Sequence, residues 1–141
     1  MSVQPPVPPS GAPVVLSREA LELLALLDLP RTAQRVLNML LAHQGETTGA
    51  ARVSQNEMCA LLGKVSKPTV NRAFKELGEI GLAWPIEDAH YQLHPLLTNG
   101  RTATKLAAVP LIKVPGVEAA GEQRRQRYAA QIANLGLPLP A

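Results

Sequence analysis

Lys64, Lys67, Arg72 and Lys75 stand in the stretch between Glu57 and Glu76, which holds no acid. Short polar side chains, Ser66, Thr69 and Asn71, are set among them. Cations without neighbouring acids make a local positive patch, the electrostatic footprint of a phosphate-binding surface. Asn71 adds a carboxamide suited to bidentate pairing with adenine, and Arg72 a guanidinium suited to guanine. Ser66, Thr69 and Lys75 suit phosphate contacts, which position a nucleic acid without specifying its sequence.

Other chemistries find less support. His90 and His94 are four apart, on one face of a strand if the strand continues that far, but a metal site needs more ligands. Cys59 is the only thiol. It reads as a small buried residue, since a reactive thiol needs exposure and a lowered pKa. No nucleophile motif or paired-carboxylate pattern occurs. Gly45 and Gly49 do not make a nucleotide loop, because the Lys-Ser/Thr of that motif is missing. The chain is read as a non-enzyme, with no cofactor and no metal.

The polar run needs elements to present it. Ser54-Gln55-Asn56-Glu57 is a capping box, which starts a helix carrying Met58, Leu61 and Leu62 and ending at Gly63. Lys64-Val65 is a tight turn. Ser66 caps a second helix, with Pro68 in its first turn, where it costs no hydrogen bond. Val70, Ala73, Phe74 and Leu77 form its buried stripe, and Gly81 is its stop signal. The opposite face then presents Lys67, Thr69, Asn71, Arg72 and Lys75.

Further helices precede this pair. Ser17 caps a Leu-rich helix running to Asp28, apolar over more than one face. Such a helix is buried in the domain or packed on another subunit. After Leu29-Pro30, the residues Ala33, Val36, Leu37, Leu40 and Leu41 trace one helical face between Arg31 and His43. Ala51 to Val53 reads as a short strand. Leu82–Ile86 and His90–Leu93 read as two strands joined by Glu87-Asp88-Ala89, with Pro85 tolerable only on an edge strand. Thr102 to Ala108 is compatible with a helix, and Val117 to Leu135 is a fair one.

Two capped helices joined by a Gly-containing turn, the second basic, describe a helix-turn-helix. The preceding helix and the following hairpin extend it to a winged helix. The segment Ser54 to Leu82, SQNEMCALLGKVSKPTVNRAFKELGEIGL, resembles the DNA-binding segment of winged-helix regulators. The resemblance places Cys59 at the small crossing position, Gly63 at the turn glycine and Val65 at the turn's buried residue. It implies that the helix beginning at Ser66 enters the major groove. Family wings often carry Arg or Lys at the tip. This one carries Glu87-Asp88, so Arg52, before the first helix of the pair, is expected to supply a phosphate contact instead. Arg101 and Lys105 are weaker candidates. Tyr91, His94-Pro95 and Gly100 are also similar to the close of the domain in winged-helix plasmid replication proteins.

The whole chain frames these expectations. Its 141 residues are 46% apolar and 18% charged, a globular composition. Thirteen prolines crowd towards the ends. The divisions expected are a disordered Pro-rich tail over 1–16, a winged-helix domain over 17–114 that includes the N-terminal helix, a C-terminal helix over 115–136 able to dimerise, and a short tail over 137–141. The fold class is mainly α with a small β-hairpin, a winged helix-turn-helix with flanking N- and C-terminal helices. The densest apolar stretch is broken by Glu22 and Asp28, so no membrane span is expected. One cysteine and no leader pattern suit the cytoplasm, at the nucleoid through DNA binding. Aromatics are 3% of the chain, too few for a single-strand stacking platform.

The expected partners are double-stranded DNA and a second copy of the chain, since a dimer matches two-fold half-sites. The expected function is sequence-specific transcriptional regulation, most simply repression by occluding a promoter. Plasmid replication initiation or copy control is the nearest alternative, and a protein-interaction module is a third. The module gains if Arg72 and Lys75 pair with Glu76 and Glu79 one helical turn on. Such pairs contribute only about 0.2–0.5 kcal/mol each.

Overall fold

The computed structural model describes residues 13–113, and Ala130 beyond them. The expected C-terminal helix (115–136), its Arg124, Arg125 and Arg127, and the closing tail otherwise lie outside the described residues, as do residues 1–12.

Ser17 opens helix α1 (Arg18–Leu26) by accepting the Ala20 amide at 3.0 Å. Ala20, Leu23 and Leu27 are buried, whereas Leu21 is 52% exposed, so this Leu-rich helix has one inward side and one outward leucine. Just before it, Leu16 packs on the core, and the Val15 carbonyl accepts from Asn99 Nδ2 at 2.8 Å. Pro30 then starts α2 (Arg31–Ala42), which buries Ala33, Val36, Leu37, Leu40 and Leu41, the five residues of the expected face.

The chain next forms β1 (Ala50–Ala51), α3 (Gln55–Leu61), α4 (Lys67–Ile80), β2 (Ala83–Glu87) and β3 (His90–Leu93). The short strand begins one residue earlier than expected and ends at Ala51, because Ser54 is committed to α3. Both bonds of the capping box are made. Ser54 Oγ takes the Glu57 amide, and Glu57 Oε1 takes the Ser54 amide, each at 3.0 Å. From α2, Arg35 Nη2 donates to the Leu62 carbonyl at 2.6 Å, satisfying an orphan acceptor at the end of α3. Gly63 and Lys64 both take positive φ (83° and 66°) to turn the chain into α4.

Helix α4 packs on α2 and α3. Gly81 ends it in the left-handed region, at φ 94°. The three strands form one antiparallel sheet in the order β1-β3-β2. Pro85 therefore lies on an edge strand, as its missing donor demands, and the β2–β3 register is irregular between Pro85 and Glu87. Among the described residues the fold is mainly helical with this small sheet.

On the central strand, Gln92 is fully buried. Its amide reaches the carbonyls of Thr48, Gly49 and Leu93 at 2.9–3.1 Å, and its carbonyl takes the Ala103 amide at 2.8 Å. Thr102 to Ala108 is not the helix the sequence allowed. Only Leu106–Ala108 makes a 3₁₀ turn. The Thr102 hydroxyl takes the Thr104 amide at 3.0 Å, a local bond that competes with helix, and Trp84 Nε1 donates to the Thr104 hydroxyl at 3.2 Å. Residues 109–113 then strap the end of α4. Val109 and Ile112 are buried, and the Lys113 amide donates to Ile80 at 2.8 Å.

Candidate nucleic-acid interface

Burial of Val70, Ala73, Phe74 and Leu77 fixes the rotation of α4. The remaining positions must face outward, and Lys67, Thr69, Asn71, Arg72 and Lys75 are all exposed. Ser66 is exposed at the N-cap. Its hydroxyl does not cap an amide as expected. It meets the Thr69 hydroxyl at 2.7 Å. Pro68 removes one of the two amides a cap can take, and the hydroxyl pairs with the Thr69 side chain and not with the remaining Thr69 amide.

Six of the seven expected contact residues are thus brought together on one helix and its cap. Arg52 is not among them. It is exposed between β1 and the capping box. Of the weaker candidates, Lys105 is exposed, whereas Arg101 is spent on structure. Its guanidinium donates to the carbonyls of Thr98 (3.0 Å) and Glu46 (2.6 Å).

The electrostatic question was whether α4 neutralises its own cations. His90 Nδ1 lies 3.7 Å from Glu87. Arg72 and Lys75 make no such contact with Glu76 or Glu79, and Lys67 makes none with Asp88. No ion pair among the described residues neutralises the charges on this face.

A cleft of about 350 Å³ opens beside the start of α4. Ser54, Gln55 and Asn56 line it from the start of α3, Lys67 from α4, and Asp88, Ala89 and Tyr91 from the hairpin. The acidic hairpin tip therefore faces the same opening as Lys67. Sequence reasoning missed Gln55 altogether and took Tyr91 only as part of a motif. Gln55 Nε2 lies 3.4 Å from Asn71 Oδ1 and 3.5 Å from Tyr91 Oη. Tyr91 is itself held, stacked on Phe74 with ring centroids 4.3 Å apart. The only sequence signal for Gln55 is its place at the start of the first helix of the pair.

His94 does not continue the β3 face with His90, because the strand ends at Leu93. It caps a 3₁₀ turn (Pro95–Leu97) instead, with its ring fully buried. The Leu96 amide donates to Nδ1 at 3.1 Å, and Nε2 donates to the Pro110 carbonyl at 3.0 Å. A backbone amide can only donate and a carbonyl only accept, so the ring is held neutral with its proton on Nε2. Burial lowers its pKa from 6.5 to about 4, against the smaller opposing effect of the Pro110 bond. Burial also lowers that of His43, opposed by Glu57. Cys59 is half-buried against the core edge. No family model, curated protein or solved structure matches the chain.

Proposed function

We propose that this chain is a winged helix-turn-helix protein that binds double-stranded DNA at a specific sequence through α4. In this reading α3 and α4 are the helix-turn-helix and β2–β3 the wing. A transcriptional regulator, most simply a repressor, is the simplest activity for such a chain. The observation that carries the proposal is the exposed face of α4, where three cations without ion pairs among the described residues stand among Ser66, Thr69 and Asn71.

Short polar side chains near the start of a groove-inserted helix suit base edges, and cations around them suit phosphates. Lys67, Asn71 and Arg72 are assigned to the major groove, with Ser66, Thr69, Lys75 and Arg52 on the backbone. The acidic hairpin tip, which faces the same opening as Lys67, is assigned no phosphate contact. The freedom of Arg72 and Lys75 from Glu76 and Glu79 favours a nucleic-acid ligand over a protein one.

The test is fluorescence anisotropy on duplex DNA from upstream of the gene, against a scrambled duplex of equal length. We expect the native duplex to bind at least tenfold more tightly. Equal, weak binding of both, with no sequence enriched from a randomised pool, overturns the proposal.

A further inference from the structure

Gln55 joins three elements through one amide group. Its Nε2 carries two protons and has two acceptors, Asn71 Oδ1 on α4 and Tyr91 Oη on β3. The arrangement starts from the core. Phe74 is in the buried stripe of α4, Tyr91 stacks on it, Gln55 reaches Tyr91, and Asn71 is reached last. Drawing Oδ1 of Asn71 towards α3 turns its Nδ2 donor the other way. A carboxamide that rotates freely offers its donor and acceptor in either order. A held one offers a single order.

That difference is chemical information in a groove. Adenine displays an acceptor, N7, beside a donor, N6, and a carboxamide matches the pair in only one orientation. We infer that Gln55 is a specificity-determining positioning residue, which fixes the Asn71 amide so that α4 reads an adenine in one orientation. The inference rests on the DNA-binding reading above. The second lone pair of Oδ1 stays available, so Gln55 can hold Asn71 while adenine N6 donates to it.

The experiment uses the full chain. A site is first selected from a randomised duplex pool. Binding is then measured on duplexes that differ from it by one base pair each. Asn71→Ala identifies the pair that Asn71 reads, as the position where preference is lost. Gln55→Ala should lower preference at that pair roughly fivefold, the worth of about one hydrogen bond, and leave every other position unchanged. In an Asn71→Ala background it should change nothing further. Gln55→Glu has no proton to give Oδ1 and draws Nδ2 towards itself, so preference at that pair should shift to another base. Tyr91→Phe keeps the stacked ring and should weaken the preference partly. Thermal melts of each variant report folding separately.

Gln55→Ala with preference intact, or with equal loss on every duplex, overturns the inference and leaves the DNA-binding reading standing. An Asn71→Ala that alters no position overturns it too. A wild-type chain that enriches no sequence overturns the DNA-binding reading, and this inference with it, before any variant is compared.

Discussion

Arg72 and Lys75 lie one turn apart on α4, both exposed and both without an ion pair among the described residues, yet their loss should look different. Arg72→Ala should cost about 1–3 kcal/mol on the preferred duplex and relax preference at one base pair. Lys75→Ala should weaken all duplexes alike and reduce the slope of log affinity against log salt by about 1. A salt series on both variants separates the two roles. His94 gives a second expectation. The unfolded chain takes up the imidazole proton near pH 6.5 and the folded chain only near 4, so stability is complete above pH 6.5 and falls as pH drops towards 4. The loss attributable to this ring is about 3 kcal/mol by pH 4. Urea unfolding at pH 7, 5.5 and 4.5 should show a steeper decline for wild type than for His94→Gln. The exposure of Lys67, Asn71 and Arg72 was legible in the sequence, because the buried stripe of one helix dictates its opposite face. Gln55 was not, since its role depends on how closely α3 and α4 cross, which no local pattern encodes.

Helix starts were legible for the same local reason. The Ser54–Glu57 box and the Ser17 cap need only residues within one turn, and both form. Ser54→Ala should therefore cost about 1 kcal/mol, visible as a lowered thermal midpoint. Ser66 stands at the N-cap position, as read, but its hydroxyl pairs with the Thr69 hydroxyl and caps no amide. The 102–113 segment was the least legible. Its course is set by distant partners, Trp84, Gln92, His94 and Ile80, and not by its own periodicity. Gly81 tests that strap. A Cβ there would sit 2.9 Å from the Leu111 carbonyl oxygen, at a φ of 94° that side chains seldom adopt. Gly81→Ala should destabilise the protein by about 1–3 kcal/mol in urea unfolding, whereas Gly63→Ala, with open space around its Cβ position, bears only the cost of its positive φ.

For the molecule as a whole, the proposed DNA binding makes stoichiometry testable. A dimer fits two-fold half-sites, and sedimentation of the full chain with and without duplex should then give two copies per palindromic site. One copy per site would make the proposed reader a monomer. Within the described residues no helix is long and apolar enough to cross a membrane.

Several copies gathered along one duplex would reach high local concentrations, and a small sheet invites trouble there, because any open strand edge is a template for the next molecule. Here one edge is interrupted by Pro85 and by the irregular register beside it. The other is only two residues long and is bridged through Ala51 to Gln44. Neither edge of this sheet, among the described residues, offers a long unbroken row of amides and carbonyls as a seam for a crowded neighbour.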